Sequence, residues 1–128
     1  MDSNVKTLKF DKVVLDCHDP QLLSDFYIKL LGWRKGYDKD GFVIIGSETS
    51  NVDIAFQKNE DYVRPAWPER AGEQQQMLHL DFAVDPADHQ HWVEHAVACG
   101  ATVAGQQYSD HWTVMLDPEG HPFCIDAM

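Results

Sequence analysis

Seven histidines and three cysteines are the side chains from which metal or nucleophilic chemistry could be built in this 128-residue chain. His91, Glu94 and His95 stand in an H-x-x-E-H arrangement, in which two histidines one helical turn apart bind zinc and the glutamate acts as general base. The spacing puts both rings on one helix face with His89 nearby, but no third ligand is assigned to them. The segment therefore reads as a solvated helix face. Cys17, Cys99 and Cys124 are odd in number, widely spaced and without a C-x-x-C pair, so they read as small buried hydrophobes. No glycine-rich phosphate loop, G-x-S-x-G elbow or serine–histidine–acid grouping occurs, which leaves nucleotide-dependent and serine hydrolase chemistry without support. Asp16, Asp19, Asp38, Asp40 and Glu60 read as surface charges.

Ten Lys+Arg against 21 Asp+Glu give a net charge of −11. A surface this acidic repels phosphate backbones and anionic headgroups, so neither nucleic acid nor membrane is expected as a partner. No apolar run approaches the ~18 residues of a spanning helix, and the opening MDSNVKTLKFDK lacks the apolar core of a secretion signal, so a cytoplasmic location is expected. The length fits one domain, and a hydrophobic fraction of 44% is that of a chain with a core.

The elements that must position any site occur in two similar series. Phe10 to Cys17 reads as a strand, and Asp19-Pro20 then supplies a cap and a first turn for a helix from Gln21 to Leu31 that Gly32 stops. Phe42 to Ile45 and Val52 to Gln57 read as further strands. A polar connector, 58–76, separates this first half, about 8–57, from a second, about 77–128. There Met77 to Val84 reads as a strand, and Asp85-Pro86 opens a helix to Cys99 with Trp92, Val93, Ala96, Val97 and Cys99 inward. Gly100 stops that helix, and Ala101 to Ala104, Trp112 to Leu116 and Pro122 to Asp126 read as strands around an Asp117-Pro118-Glu119-Gly120 turn. Strand, Asp-Pro, helix, glycine and strands thus occur twice, which a duplicated α+β unit explains.

With VVLDCHDPQLLSDFYIKLLGW in the first half, HLDFAV opening the second and LDPEGHPFCID near the end, the chain resembles the vicinal-oxygen-chelate superfamily of glyoxalase I, bleomycin-resistance proteins and extradiol dioxygenases. Ala55-Phe56-Gln57, His79 to Phe82 and Asp117 to Cys124 resemble its small glyoxalase-like subgroup. The resemblance implies an α+β fold of two βαβββ modules, whose U-shaped mixed sheet cups a site while helices cover the outside. On the second module's first strand, Leu78, Leu80, Phe82 and Val84 would pack under a helix, and His79, Asp81 and Ala83 would face the cup.

Metal-using members take ligands from the first and last strands of each module, which here places Lys12, Gln57 or Ala55, His79 and Cys124 at those positions. A protonated ammonium has no lone pair to donate, so Lys12 argues against a conventional centre, and no metal or other cofactor is expected. Were a divalent metal to bind, His79, Gln57 and Cys124 would hold it. Lys12 beside Gln57 and His79 suits an anionic or carbonyl-bearing small ligand, with Trp112, His111 and Trp67 as aromatic walls and Cys124 lining the site. The expected function is small-molecule binding in the sheet cavity. The alternative is a lyase, isomerase or dioxygenase with a degenerate centre around His79. The resemblance further implies a homodimer.

Overall fold

The computed structural model describes residues 6–128, so the first five residues of the expected 1–128 domain lie outside the described residues. β1 (Lys12–Cys17) leads into α1 (Pro20–Leu31), β2 (Arg34–Lys39), β3 (Phe42–Gly46) and β4 (Asp53–Lys58). After the connector come β5 (Leu80–Val84), a 3-10 turn (Pro86–Asp88), α2 (His89–Cys99), β6 (Thr102–Val103), β7 (Trp112–Leu116) and β8 (Pro122–Ala127). The halves form two four-stranded mixed sheets, ordered β1-β4-β3-β2 and β5-β8-β7-β6. In each, the first and last strands of the module run parallel and the other neighbours antiparallel. The expected two-module α+β architecture is present.

Local chemistry explains the first helix. The Asp19 carboxylate accepts from the Gln21 and Leu22 N–H groups, both at 3.1 Å, and Gly32 N–H closes the helix on Ile28 O at 2.9 Å. Its apolar stripe of Leu23, Phe26, Tyr27 and Leu30 is buried on β3 and β4. Phe26 and Tyr27 also reach Phe123 of β8, with ring centroids 5.9 and 6.1 Å apart. A single core cluster therefore joins Leu15, Tyr27 and Phe56 of the first module to Met115, Phe123 and Ile125 of the second. Each such side chain, fully buried, stabilises the fold by about 1.5–3 kcal/mol.

The Asp117–Gly120 turn ties the modules together. Asp117 is buried and accepts from Tyr27 Oη at 2.8 Å. Glu119, also buried, accepts from the backbone N–H groups of His18 and Asp19, at 3.2 and 2.9 Å, just ahead of α1. The connector holds the turn from its other side through Tyr62 Oη to Glu119 O at 2.7 Å and Arg64 Nη1 to Pro118 O at 3.1 Å.

Several boundaries differ from the sequence reading. β2 was not expected, because RKGYDK is exposed throughout and has no apolar alternation. It pairs with β3 through an Asp40-Gly41 turn whose residues have φ of 54° and 76°, the left-handed pair that a tight hairpin requires. β5 begins at Leu80, so Leu78 lies before the strand and is exposed instead of packing under a helix. Val97 is exposed rather than inward, since the apolar stripe of α2 that meets the core centres on Val93 and Ala96. Cys17 and Cys124 are buried as expected, whereas Cys99 is half-buried.

Candidate functional site

The second module's sheet carries the candidate site, and strand alternation decides which side chains reach it. On β5, Leu80, Phe82 and Val84 pack against the core, leaving Asp81 and, just before the strand, His79 on the opposite side. On β8, Phe123 and Ile125 join the core while Pro122, Cys124 and Asp126 face the other way, as Trp112 and Val114 do on β7. Register aligns these residues in rows across the sheet. Asp81, Cys124 and Val114 form one row, and Ala83, Asp126 and Trp112 the next.

Over these rows lies a half-open cavity of about 510 Å³, lined by Trp67 from the connector and by Tyr108, His111 and Trp112. Trp67 and Tyr108 meet edge to face, 6.4 Å between centroids, and Trp67 packs against the small cluster of Ala104, Val114 and Cys124. The Trp67 Nε1–H is buried with no hydrogen-bond partner. A volume of several hundred Å³ with aromatic walls and a few polar groups suits a small organic molecule.

At the polar end, His79 Nε2 lies 3.2 Å from Asp81 Oδ1, and the donor atoms of His79, Asp81 and Cys124 all fall within 4.8 Å of one another. Burial, reinforced by the Asp81 carboxylate, pushes the Cys124 thiol up to about 12. Burial and then Asp81 also raise the Asp126 carboxyl. Cys124 is thus a neutral thiol near pH 7, which makes it a poor nucleophile. Imidazole nitrogen, carboxylate oxygen and cysteine sulfur are together a donor set that fits zinc.

Of the residues expected to form the site, His79, Trp112 and Cys124 line this cavity, as do the expected walls Trp67 and His111. Lys12 and Gln57 are not among the lining residues. The parallel register pairs Lys12 with Asp53 and Gln57 with Asp16, four rungs further along, or about 13 Å at the strand rise. The expected grouping of Lys12 with Gln57 is therefore corrected, and Lys12 pairs instead with Asp11. Asp81, expected on the cup face, was not named as a site residue, and Asp126 was missed. Both follow a recognised residue by two positions, His79 and Cys124, and share its face for that reason. The H-x-x-E-H histidines stack on each other, and His95 Nε2 lies 3.2 Å from Lys29 O, so this face meets α1.

The model of the glyoxalase-like domain family matches residues 12–125, nearly the whole chain. The chain belongs to this family. No curated protein matches its sequence. Among solved structures, a glyoxalase/bleomycin resistance protein/dioxygenase family enzyme from Burkholderia phytofirmans PsJN superposes with a TM-score of 0.71 at 23% identity, covering 94% of this chain and 98% of that one. A glyoxalase-related enzyme from Fulvimarina pelagi gives 0.69 at 16% identity, over 97% of this chain and 89% of that one. The fosfomycin resistance protein FosX from Mesorhizobium loti gives 0.67 at 12% identity, over 100% of this chain and 94% of that one. At these identities the likeness is one of fold. Among the described residues, no helix is long and apolar enough to cross a membrane.

Proposed function

We propose that this glyoxalase-like protein binds a small organic molecule in the cavity of its second module, and that it does so without a metal. The observation that carries this reading is the aromatic enclosure of Trp67, Tyr108 and Trp112 over a floor bearing His79, Asp81 and Cys124. The rings supply apolar contact area, and the polar groups fix orientation. The experiment is a thermal-shift screen of small molecules against chelator-treated protein, with hits retested on Trp112→Ala. Hits that stabilise the wild type and fail on the variant support the reading; hits that stabilise both equally sink it.

A second reading is favoured by the His79–Asp81–Cys124 donor set. A divalent ion there would act as a Lewis acid on a substrate oxygen. His79 and Asp81 would each supply one donor from the open face, and Cys124 would have to release its proton on binding. Stoichiometric zinc that survives purification and is lost in His79→Ala would favour this reading over the first. A homodimer is proposed alongside either, on the superfamily resemblance. Sedimentation that finds only monomer across the micromolar range would overturn it.

A further inference from the structure

The charges around the cavity are one-sided. Its lining residues include two carboxylates, Asp81 and Asp126, and two imidazoles, His79 and His111, but no lysine or arginine. An anion entering it would meet no permanent positive charge, and it would bring its own charge against two carboxylates in a partly desolvated space. Lys12, the basis for expecting an anionic ligand, pairs with Asp11 on the first module.

Register sharpens the point. Asp126 sits directly opposite Trp112 on neighbouring antiparallel strands, so the carboxylate and the indole rise side by side from the same face. A positive group placed over that indole would gain the attraction of a cation for an aromatic face and that of the adjacent carboxylate together. Asp81 stands on the other flank of β8, opposite Cys124, and continues the negative strip toward His79.

Taking the cavity as the ligand site proposed above, we infer that its ligand is a flat organic cation, with its ring against Trp112 and Trp67 and its positive group toward Asp126 and Asp81. The wall selects for planarity and the strip for positive charge, so the two can be tested separately.

Three bicyclic probes of similar shape and different charge make the test: 1-methylquinolinium, 1-naphthamide and 1-naphthoate. Each is titrated into the full chain with chelator present, following the four tryptophan indole N–H resonances by NMR. Trp33 and Trp92, which pack on the main core cluster, serve as internal controls. The cation is expected to shift the Trp67 and Trp112 signals and to bind at least tenfold more tightly than naphthoate. Asp126→Asn should remove most of that preference and leave the amide's affinity within about twofold. If naphthoate or the amide shifts the same two indoles with equal or greater affinity, the cup is real and the inference of a cation is overturned. If none of the three moves either indole, the cavity reading itself fails and takes this inference with it.

Discussion

Tyr27 Oη donates a hydrogen bond of 2.8 Å to Asp117 Oδ2, joining the first helix to the last turn of the chain in a buried setting. Asp117 Oδ1 meanwhile accepts from the Glu119 and His121 N–H groups at 2.9 and 3.0 Å. Tyr27→Phe keeps the ring's packing and leaves one carboxylate oxygen without its donor. Loss of about 1–3 kcal/mol is expected in urea denaturation. A loss below 0.5 kcal/mol would show that the bond contributes little.

The same residue sets a pH dependence. Burial, its largest influence, raises the Asp117 carboxyl above its ordinary value of 3.8 despite the hydrogen bonds that favour the anion. Over the interval between the unfolded and folded values the folded chain holds a proton that the unfolded chain has released. This contribution to stability is full below 3.8 and is lost as pH rises through the raised value. Urea midpoints of wild type measured upward from pH 3.8 should therefore fall relative to those of Asp117→Asn, whereas parallel curves would mean that the shift is absent.

Thiol reactivity should follow burial. The Cys17 and Cys124 thiols are both pushed up to about 12, chiefly by burial, while Cys99 is only half-buried. Iodoacetamide labelling of the native protein at pH 8, read by peptide mass spectrometry, is expected to modify Cys99 first and the other two only on unfolding. Early labelling of Cys124 would contradict the neutral, enclosed thiol described for the site.

The hairpin between β2 and β3 depends on Gly41. Its φ is 76°, and a Cβ there would lie 3.1 Å from the Lys58 Cβ. Gly41→Ala should cost about 1–2 kcal/mol in the same denaturation assay, since an L side chain resists the left-handed region. An unchanged midpoint would show that the hairpin re-forms with a different turn.

What could be read without coordinates divides along physical lines. The first helix was legible because its apolar spacing, its Asp-Pro start and its glycine stop all agree. β2 was not, because a strand exposed on both faces carries no alternation. The Asp40-Gly41 pair was the signal available for it. His79 and Cys124 could be placed through the resemblance, and their neighbours Asp81 and Asp126 follow from the two-residue period of a strand. The separation of Lys12 from Gln57 was not legible, because it rests on parallel register, which is set by the packing of whole strands. Nor could the sequence reveal that Glu119 caps the backbone ahead of α1, a contact across 100 positions.

The shared core and the turn that Tyr27, Tyr62 and Arg64 hold have a consequence for how the molecule comes apart. Neither half owns a complete interior: α1 of the first needs Phe123 of the second, and Glu119 of the second occupies N–H groups of the first. Cutting the chain within 58–76 would expose both surfaces at once, so the two repeats should melt in one cooperative transition and neither should persist as a stable fragment. The duplication still visible along the chain therefore marks no energetic seam.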